Sequence, residues 1–291
     1  MTGLGVVFLP QLPPERLRSV AQAADEAGLE ELWLWEDCFR ESGMAAAAAA
    51  LAWTTRLRVG VGLFPAPLRN VALTAMELAT LDRMFPGRML AGVGHGTQSW
   101  MGQVGAKAES PVTLLREYIN ALRALLAGQE VTTSGRYVRL DRVKLDWPPA
   151  SPPPLLAGAI GPRSMRLSGE CADGTILTCG VTSDGVREAR ALIDEGRAAA
   201  ERSDPHAVVV YMHGATGPGA AERLVREREM WGEDPAGDLG AAGDAATVAE
   251  AVQRWATAGA TTVVLQPTTD DPDPEGFVRF VAHEVRPLIV P

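Results

Sequence analysis

Lysine is nearly absent from this chain: of its 27 basic residues, only those at positions 107 and 144 are not arginine. Neither stands at the end of a strand-like run, which excludes a sugar-phosphate lyase barrel that works through a Schiff-base lysine. Positive charge as a whole is in deficit, with a net charge of −9 and a pI near 5.1. No partner that must be held by broad phosphate neutralisation fits, so neither nucleic acid nor an anionic membrane is expected. Cysteine is sparse too. Cys38, Cys171 and Cys179 are odd in number and have no CxxC spacing. Without a recognisable signal segment, this predicts free thiols in a reducing, cytoplasmic setting. His206, His213 and His283 show no ligand spacing, so no metal is expected and they are read as structural. The alanine run 45–50 is too short to cross a bilayer. Aromatics reach only 5%, so the apolar fraction of 46% comes mainly from Ala, Val and Leu. That is an ordinary globular composition, at a length that accommodates one β/α barrel of ~250 residues with modest insertions.

What the chain does have is a relay of apolar runs, each followed by glycine or acid. Runs 4–9, 31–35, 57–61 and 89–93 lead into Pro10, Glu36-Asp37, Gly62-Leu63 and Gly94-His95-Gly96. Functional residues at the carboxyl ends of successive strands are the layout of a barrel enzyme. The segment Gly92-Val93-Gly94-His95-Gly96 offers close backbone approach and free N–H groups, which suits an anionic or planar ligand. It is not the GxGxxG fingerprint, and no acid ends a second strand about 20 residues on, so a Rossmann site is not expected.

Between the runs lie helices. Pro13-Pro14 opens one that Gly28 closes; 44–53 is a second; Asn70 caps a third through Leu81. The spacing predicts an irregular stretch over 97–109, then a helix capped by Ser110 with Pro111 as its first residue. A hairpin over 130–143 and a proline connector over 147–154 complete an insertion spanning 97–154. Strands 155–158, 174–178, 208–212 and 261–265 alternate with helices 162–171, 184–201, 220–231, one capped by Asp244, and 275–285. Eight parallel strands joined by helical crossovers predict an α/β fold, a single (β/α)8 TIM barrel over 1–291 with the insertion after strand four.

The ordered set GVVFLP, AGLEELWLWEDCF, LRVGVGLFPAPLRN, MELATLDRMFPGRMLAGVGHG, GPRSMRLSGECADGTI and AGATTVVLQP resembles the luciferase-like monooxygenase superfamily along nearly the whole chain. More narrowly, it resembles the deazaflavin-dependent branch with methylene-tetrahydromethanopterin reductases and sugar-phosphate dehydrogenases. The resemblance implies a bound deazaflavin, coenzyme F-420, with FMN as the alternative cofactor. It places Asp37 at the ring, Gly62 and Leu63 in a bulge behind the ring that is often a non-prolyl cis peptide, and Gly94, His95 and Gly96 along the cofactor side chain. Ala159, Ile160, Gly161 and Pro162 match an amide-rich turn that holds the cofactor phosphate at a helix N-terminus, with Arg163 and Arg166 nearby. It also implies a homodimer.

The departures bear on chemistry. Where the sugar-phosphate dehydrogenases carry His after the strand-two acid and Glu after the glycine loop, this chain has Cys38 and Thr97. Where the pterin reductases carry an acid on strand one, it has Val7. Neither branch's reaction transfers, and what survives is cofactor-borne hydride transfer to or from a small organic substrate. Asp37, Cys38 and His95 are the catalytic candidates, and Thr97, Trp100 and Met101 the candidate pocket wall. Trp33, Trp35, Trp53 and Trp255 are read as core. Two further readings keep the barrel: an FMN-dependent monooxygenase, and a non-catalytic flavin or ligand carrier that lost its acid/base residues.

Overall fold

In the computed structural model, which describes residues 2–234 and 237–289, eight parallel strands close into a barrel. They are β1 (Gly3–Val7), β2 (Glu31–Leu34), β3 (Arg58–Pro65), β4 (Met89–Gly94) and, after a separate hairpin of β5 (Val131–Ser134) and β6 (Arg139–Val143), β7 (Leu155–Gly158), β8 (Gly174–Leu177), β9 (Ala207–Ala215) and β11 (Thr262–Gln266). Pairing runs β9-β11-β1-β2-β3-β4-β7-β8, and β8 pairs back onto β9 to close the ring. A three-residue strand, β10 (Gly240–Ala242), pairs parallel with the end of β9, in what the sequence predicts as loop.

Around the strands lie α1 (Leu17–Glu26), α2 (Gly43–Trp53), α3 (Val71–Met84), α4 (Gln98–Gln103), α5 (Pro111–Leu126), α6 (Pro162–Cys171), α7 (Ser183–Ala199), α8 (Ala220–Trp231), α9 (Ala245–Ala258) and α10 (Pro274–Phe280). Two predicted caps form as expected: Asn70 Oδ1 accepts from Ala72 N–H at 2.9 Å, and Asp244 Oδ1 from Thr247 N–H at 2.9 Å. Others differ. Ser110 makes no capping bond; its hydroxyl pairs with Thr113 Oγ1 at 2.7 Å and its own N–H donates to Tyr137 Oη. Pro13-Pro14 leads into a single 3-10 turn over Pro14–Arg16 before α1 begins, rather than opening the α-helix directly. The stretch 97–109 holds the short helix α4 rather than being wholly irregular, and the last helix passes into a π turn over Val281–Val285. In the insertion, the Glu117 carboxylate of α5 accepts from the amides of Arg136, Tyr137 and Val138 and so fixes the hairpin turn.

The strands are buried on both faces, as parallel sheets require. Val6 and Phe8 pack outward under the helices, whereas Val7 and Leu9 turn into the barrel, the period of two expected of a strand. The lumen is filled by Val7, Leu9, Trp33, Trp35, Leu90, Leu156, Ile176, Val209, Tyr211 and Val264. Trp33 is fully buried, and Cβ atoms added at Gly5 or Gly60 would lie 3.0 and 2.5 Å from its ring, so two strands give up side chains to admit it. At the N-terminal end Trp33 Nε1 donates to Glu31 Oε2 at 2.8 Å, and Arg58 pairs with Glu31 at 3.2 Å. That end carries a hollow of about 370 Å³ beside Glu31 and Arg58, whereas barrel enzymes place their chemistry at the other mouth.

Candidate active site at the barrel mouth

The loop after β2 carries two adjacent acids with different surroundings. Glu36 is committed: it accepts from Arg69 Nε at 2.7 Å and from Gly43 N–H at 2.9 Å. Asp37 has no hydrogen bond to its carboxylate among the described residues; burial raises its pKa, with Arg40 opposing. Glu41, four residues on, is raised by burial and by the Asp37 charge. Two desolvated carboxyl groups therefore flank Arg40. Cys38 lies between the acids and the rim, its thiol pushed up by burial and by Asp37 and Glu36, which disfavours the thiolate. The Cys38–Phe39 peptide is cis, and Phe39 stands 66% exposed at the rim.

The bulge expected on strand three is present. The Gly62–Leu63 peptide is cis, and the β3–β4 register slips between Val61 and Phe64. Tyr211 Oη donates to Gly62 O at 3.4 Å from the opposite wall. The slip turns the Leu63 side chain across β4 and β7, where Cβ atoms added at Gly94 and Gly158 would lie 2.5 and 2.1 Å from its Cδ2. Gly94 and Gly158 thus make room for the Leu63 side chain, and Gly62 for the Tyr211 hydroxyl.

His95 is half-buried; desolvation lowers its pKa against a hydrogen bond to Pro111, so it is held neutral. Gly96 has φ +64 and sits 3.0 Å, measured from an added Cβ, from Met101 Sδ. Met101 itself is fully buried beneath α4 and anchors the loop from below, while Thr97 is exposed and Trp100 half-exposed. At the end of β7, Ala159 N–H is used by the sheet, and Ile160 and Gly161 N–H both point at Ser164 Oγ at 3.2 Å. The first-turn amides of α6 are left without intrahelical partners. Ile160 is 82% exposed, Pro162 and Arg163 are exposed, and Arg166 is tied to Glu195 at 2.7 Å.

Barrels commonly hold phosphate at the loops after their seventh and eighth strands. Here that position is a hollow of about 610 Å³ lined by Asp244, Asp271, Asp273 and Glu284, with Arg223 already bonded to the Pro218 and Thr216 carbonyls. The carboxylates make it unsuitable for an anion, and α6 is the better anchor.

The other half of the mouth comes from β8, β9, β11 and the segment after α8. Cys179 Sγ donates to Gln266 Oε1 at 2.7 Å, and burial pushes that thiol well above its usual range. His213 Nε2 meets Glu233 Oε2 at 3.2 Å. Trp35 lies tilted on Tyr211 at 5.6 Å and edge-on to Trp231 at 6.5 Å. The sequence reading did not single out Glu41, Tyr211, Cys179, Gln266 or Glu233 for this mouth and took His213 as structural. Of these, Cys179 and Gln266 lie at or just past strand ends, Tyr211 and His213 lie within β9, and Glu233 lies beyond α8.

A closed barrel with a helix N-terminus and buried ionisable groups at its carboxyl-end mouth has the arrangement of an enzyme site. The family pattern of luciferase-like monooxygenases matches residues 4–264, and the chain belongs to that family. It is 29% identical over 181 residues to 5,10-methylenetetrahydromethanopterin reductase of Methanolobus tindarius, covering 62% of this chain and 55% of the relative. It is 31% identical over 210 residues to a coenzyme F-420-dependent glucose-6-phosphate dehydrogenase of Nakamurella multipartita, covering 64% and 62%. The chain therefore spans less than two thirds of these curated relatives. Among solved structures, the coenzyme F-420-dependent tetrahydromethanopterin reductase of Methanopyrus kandleri superposes with a TM-score of 0.86 at 23% identity, over 99% of both chains. A coenzyme F-420-dependent secondary alcohol dehydrogenase in complex with an F-420–acetone adduct gives 0.88 at 20%, over 100% of this chain and 99% of the other. At these identities the structures establish the shared fold.

Proposed function

We propose that this chain binds the deazaflavin coenzyme F-420 and passes hydride between it and a small organic substrate. The observation that carries the reading is the Gly62–Leu63 bulge facing Gly94 and Gly158, with the N-terminus of α6 at the adjoining strand end. Gly62, Leu63, Gly94, His95 and Gly96 would border the ring and side chain, Asp37 would reach the ring edge, and at the turn 159–162 the first-turn amides of α6 with Arg163 would meet the phosphate. The bound cofactor would supply two-electron hydride chemistry. The protein residues position it, exclude water and handle the accompanying proton. Relatives named for coenzyme F-420 at 31% and 33% identity support this choice over FMN. FMN is the second reading, favoured by the fold shared with the oxygenating component of 3,6-diketocamphane monooxygenase of Pseudomonas putida in complex with FMN, TM-score 0.79 at 18% identity.

The exposed side chains Leu73, Met76 and Met84 on α3 beside the alanine-rich α2 support a homodimer through these helices. No helix among the described residues is long and apolar enough to cross a membrane.

Anaerobic titration of the apoprotein with oxidised coenzyme F-420 and, separately, with FMN, followed by fluorescence, tests the reading. Micromolar or tighter deazaflavin binding with weak FMN binding is expected. The reverse preference moves the chain to oxygen chemistry, and binding of neither removes the cofactor assignment.

A further inference from the structure

The Asp37 carboxylate has no hydrogen bond of its own among the described residues, so its place is set by the backbone that carries it. That backbone is the segment 36–43, between the end of β2 and the first residue of α2. The two ends of the segment meet at one carboxylate: Glu36 Oε2 accepts the Gly43 N–H at 2.9 Å, and a Cβ added at Gly43 would stand 3.1 Å from Glu36 Cβ. Between the ends, among the described residues, one hydrogen bond ties 37–42 to the rest of the barrel, from Arg40 Nη1 to Pro10 O at 3.1 Å. The loop keeps its shape only as far as Glu36 keeps its place.

Arg69 holds Glu36. It follows the short turn Ala66–Leu68 beyond β3 and comes immediately before the Asn70 cap of α3. Its guanidinium meets Glu36 as a fork, Nε to Oε1 at 2.7 Å and Nη2 to Oε2 at 2.9 Å, while Nη1 reaches Glu77 Oε2 on α3 at 2.5 Å. The same group lies over the Phe64 ring, 5.0 Å from its centre, and Phe64 is the residue after the Gly62–Leu63 bulge. The Arg69 and Glu36 side chains are 12% and 13% exposed, largely out of water, where a two-point fork holds a geometry that an exposed pair would not. One guanidinium thus joins the Asp37 loop, the bulged end of β3 and α3.

Resting on the deazaflavin reading above, we infer that Arg69 is a positioning residue for the cofactor: it sets where Asp37 stands relative to the Gly62–Leu63 bulge, so that the ring meets both at once. The guanidinium also cancels the Glu36 charge beside Asp37 and Cys38. The Cys38 thiol is pushed up by burial, then by Asp37 and Glu36, which makes it a probe of that charge. Glu77 of α3 and Tyr118 of α5, whose hydroxyl is pushed up to about 12 and so stays neutral, bear on Arg69 from the other side.

Two substitutions separate charge from geometry. Arg69→Lys keeps the charge and gives up the fork; Arg69→Met gives up both. In the cofactor-free protein, amide hydrogen exchange read by mass spectrometry should quicken at least ~10-fold over residues 36–45 in Arg69→Lys, while peptides from β1, β4 and β11 keep wild-type rates, the pattern of a local opening. The pH midpoint for alkylation of Cys38 by iodoacetamide should rise by at least about half a pH unit in Arg69→Met, where Glu36 is left unpaired, and stay within about 0.2 in Arg69→Lys. Fluorescence titration, at a temperature where circular dichroism shows every protein folded, reads the third arm. There the dissociation constant for oxidised coenzyme F-420 should rise at least ~10-fold in Arg69→Lys, since a misplacement of about 1 Å costs up to ~100-fold. A loosened loop with an unchanged dissociation constant would leave Arg69 a structural clamp only, and overturns the inference. So do loop exchange that stays at the wild-type rate in Arg69→Lys and a Cys38 midpoint that does not move in Arg69→Met. If Arg69→Met does not fold, Arg69→Lys decides alone. Failure of the wild type to bind the cofactor instead removes the deazaflavin reading, while exchange and alkylation still decide whether Arg69 holds the loop.

Discussion

Replacing Gly62 by alanine should destabilise the protein through one atom of one neighbour. A Cβ built at Gly62 lies 2.0 Å from Tyr211 Oη, far inside contact distance, and the next atoms, Trp33 Cε3 and Tyr211 Cζ, are both at 3.2 Å. Tyr211 cannot swing aside: it is 2% exposed and packed between Trp33 and Trp35. Overfilling a packed core typically costs 1–3 kcal/mol, so Gly62→Ala is expected to lose about 2 kcal/mol. Tyr211→Phe removes the clashing oxygen and gives up only the long 3.4 Å bond to Gly62 O. In that background the new methyl meets nothing nearer than 3.2 Å, a distance neighbours can absorb by shifting a few tenths of an ångström, and the cost should fall below ~1 kcal/mol. Urea denaturation of the four proteins forms a double-mutant cycle with an expected favourable coupling of at least ~1 kcal/mol. Equal costs of Gly62→Ala in both backgrounds would refute the claim that Tyr211 and the bulge are built against each other.

Gly161→Ala gives the contrasting case: nothing lies within 4 Å of its added Cβ and its φ of −106 suits any residue, so stability should be unchanged while affinity for coenzyme F-420 drops several-fold in the same fluorescence titration. Glu117→Ala removes the carboxylate from three turn amides and should cost about 1 kcal/mol, measured by thermal unfolding, with little effect on cofactor binding. His206, buried and bonded to Thr175 Oγ1 at 2.8 Å, has its pKa lowered to about 4, chiefly by desolvation and then by nearby arginines. Between the ordinary value of 6.5 and about 4 the unfolded chain binds the extra proton, so the stabilisation is complete above pH 6.5 and is lost as pH falls toward 4. The loss amounts to about 3 kcal/mol, and a His206→Gln variant should lack that part of the pH dependence.

Much of the barrel was legible because each parallel strand reads as an apolar run closed by glycine or acid. Leu57 to Val61 and Met89 to Val93 need no partner information to be recognised. The same property hid half of the site. In Val208 to Met212 every residue is apolar, so the alternation that sends Tyr211 and His213 inward leaves no mark in the sequence. Only the closed ring decides it, through Val209 and Tyr211 in the lumen and Gly214 packed outward against Phe277. Glu233 was invisible for another reason: it reaches the mouth from beyond α8, at a distance set by a helix rather than by a motif. Ser110 has the residue type of a cap, but its hydroxyl is taken by Thr113, a competition between side chains that composition does not reveal.

The division of the mouth follows from packing. Trp33 and Tyr211, among the bulkiest groups in the lumen, fit because β1 and β3 present Gly5, Gly60 and Gly62 to them, while Gly92 makes room for Ile176 and Gly94 and Gly158 make room for Leu63. Beyond the aromatic layer, His213, Gln266 and Cys179 sit at or past the ends of β9, β11 and β8 in low-dielectric surroundings. A side chain introduced at Gly94 or Gly158 should therefore displace Leu63 and impair cofactor binding while leaving the Cys179–Gln266 and His213–Glu233 contacts in place.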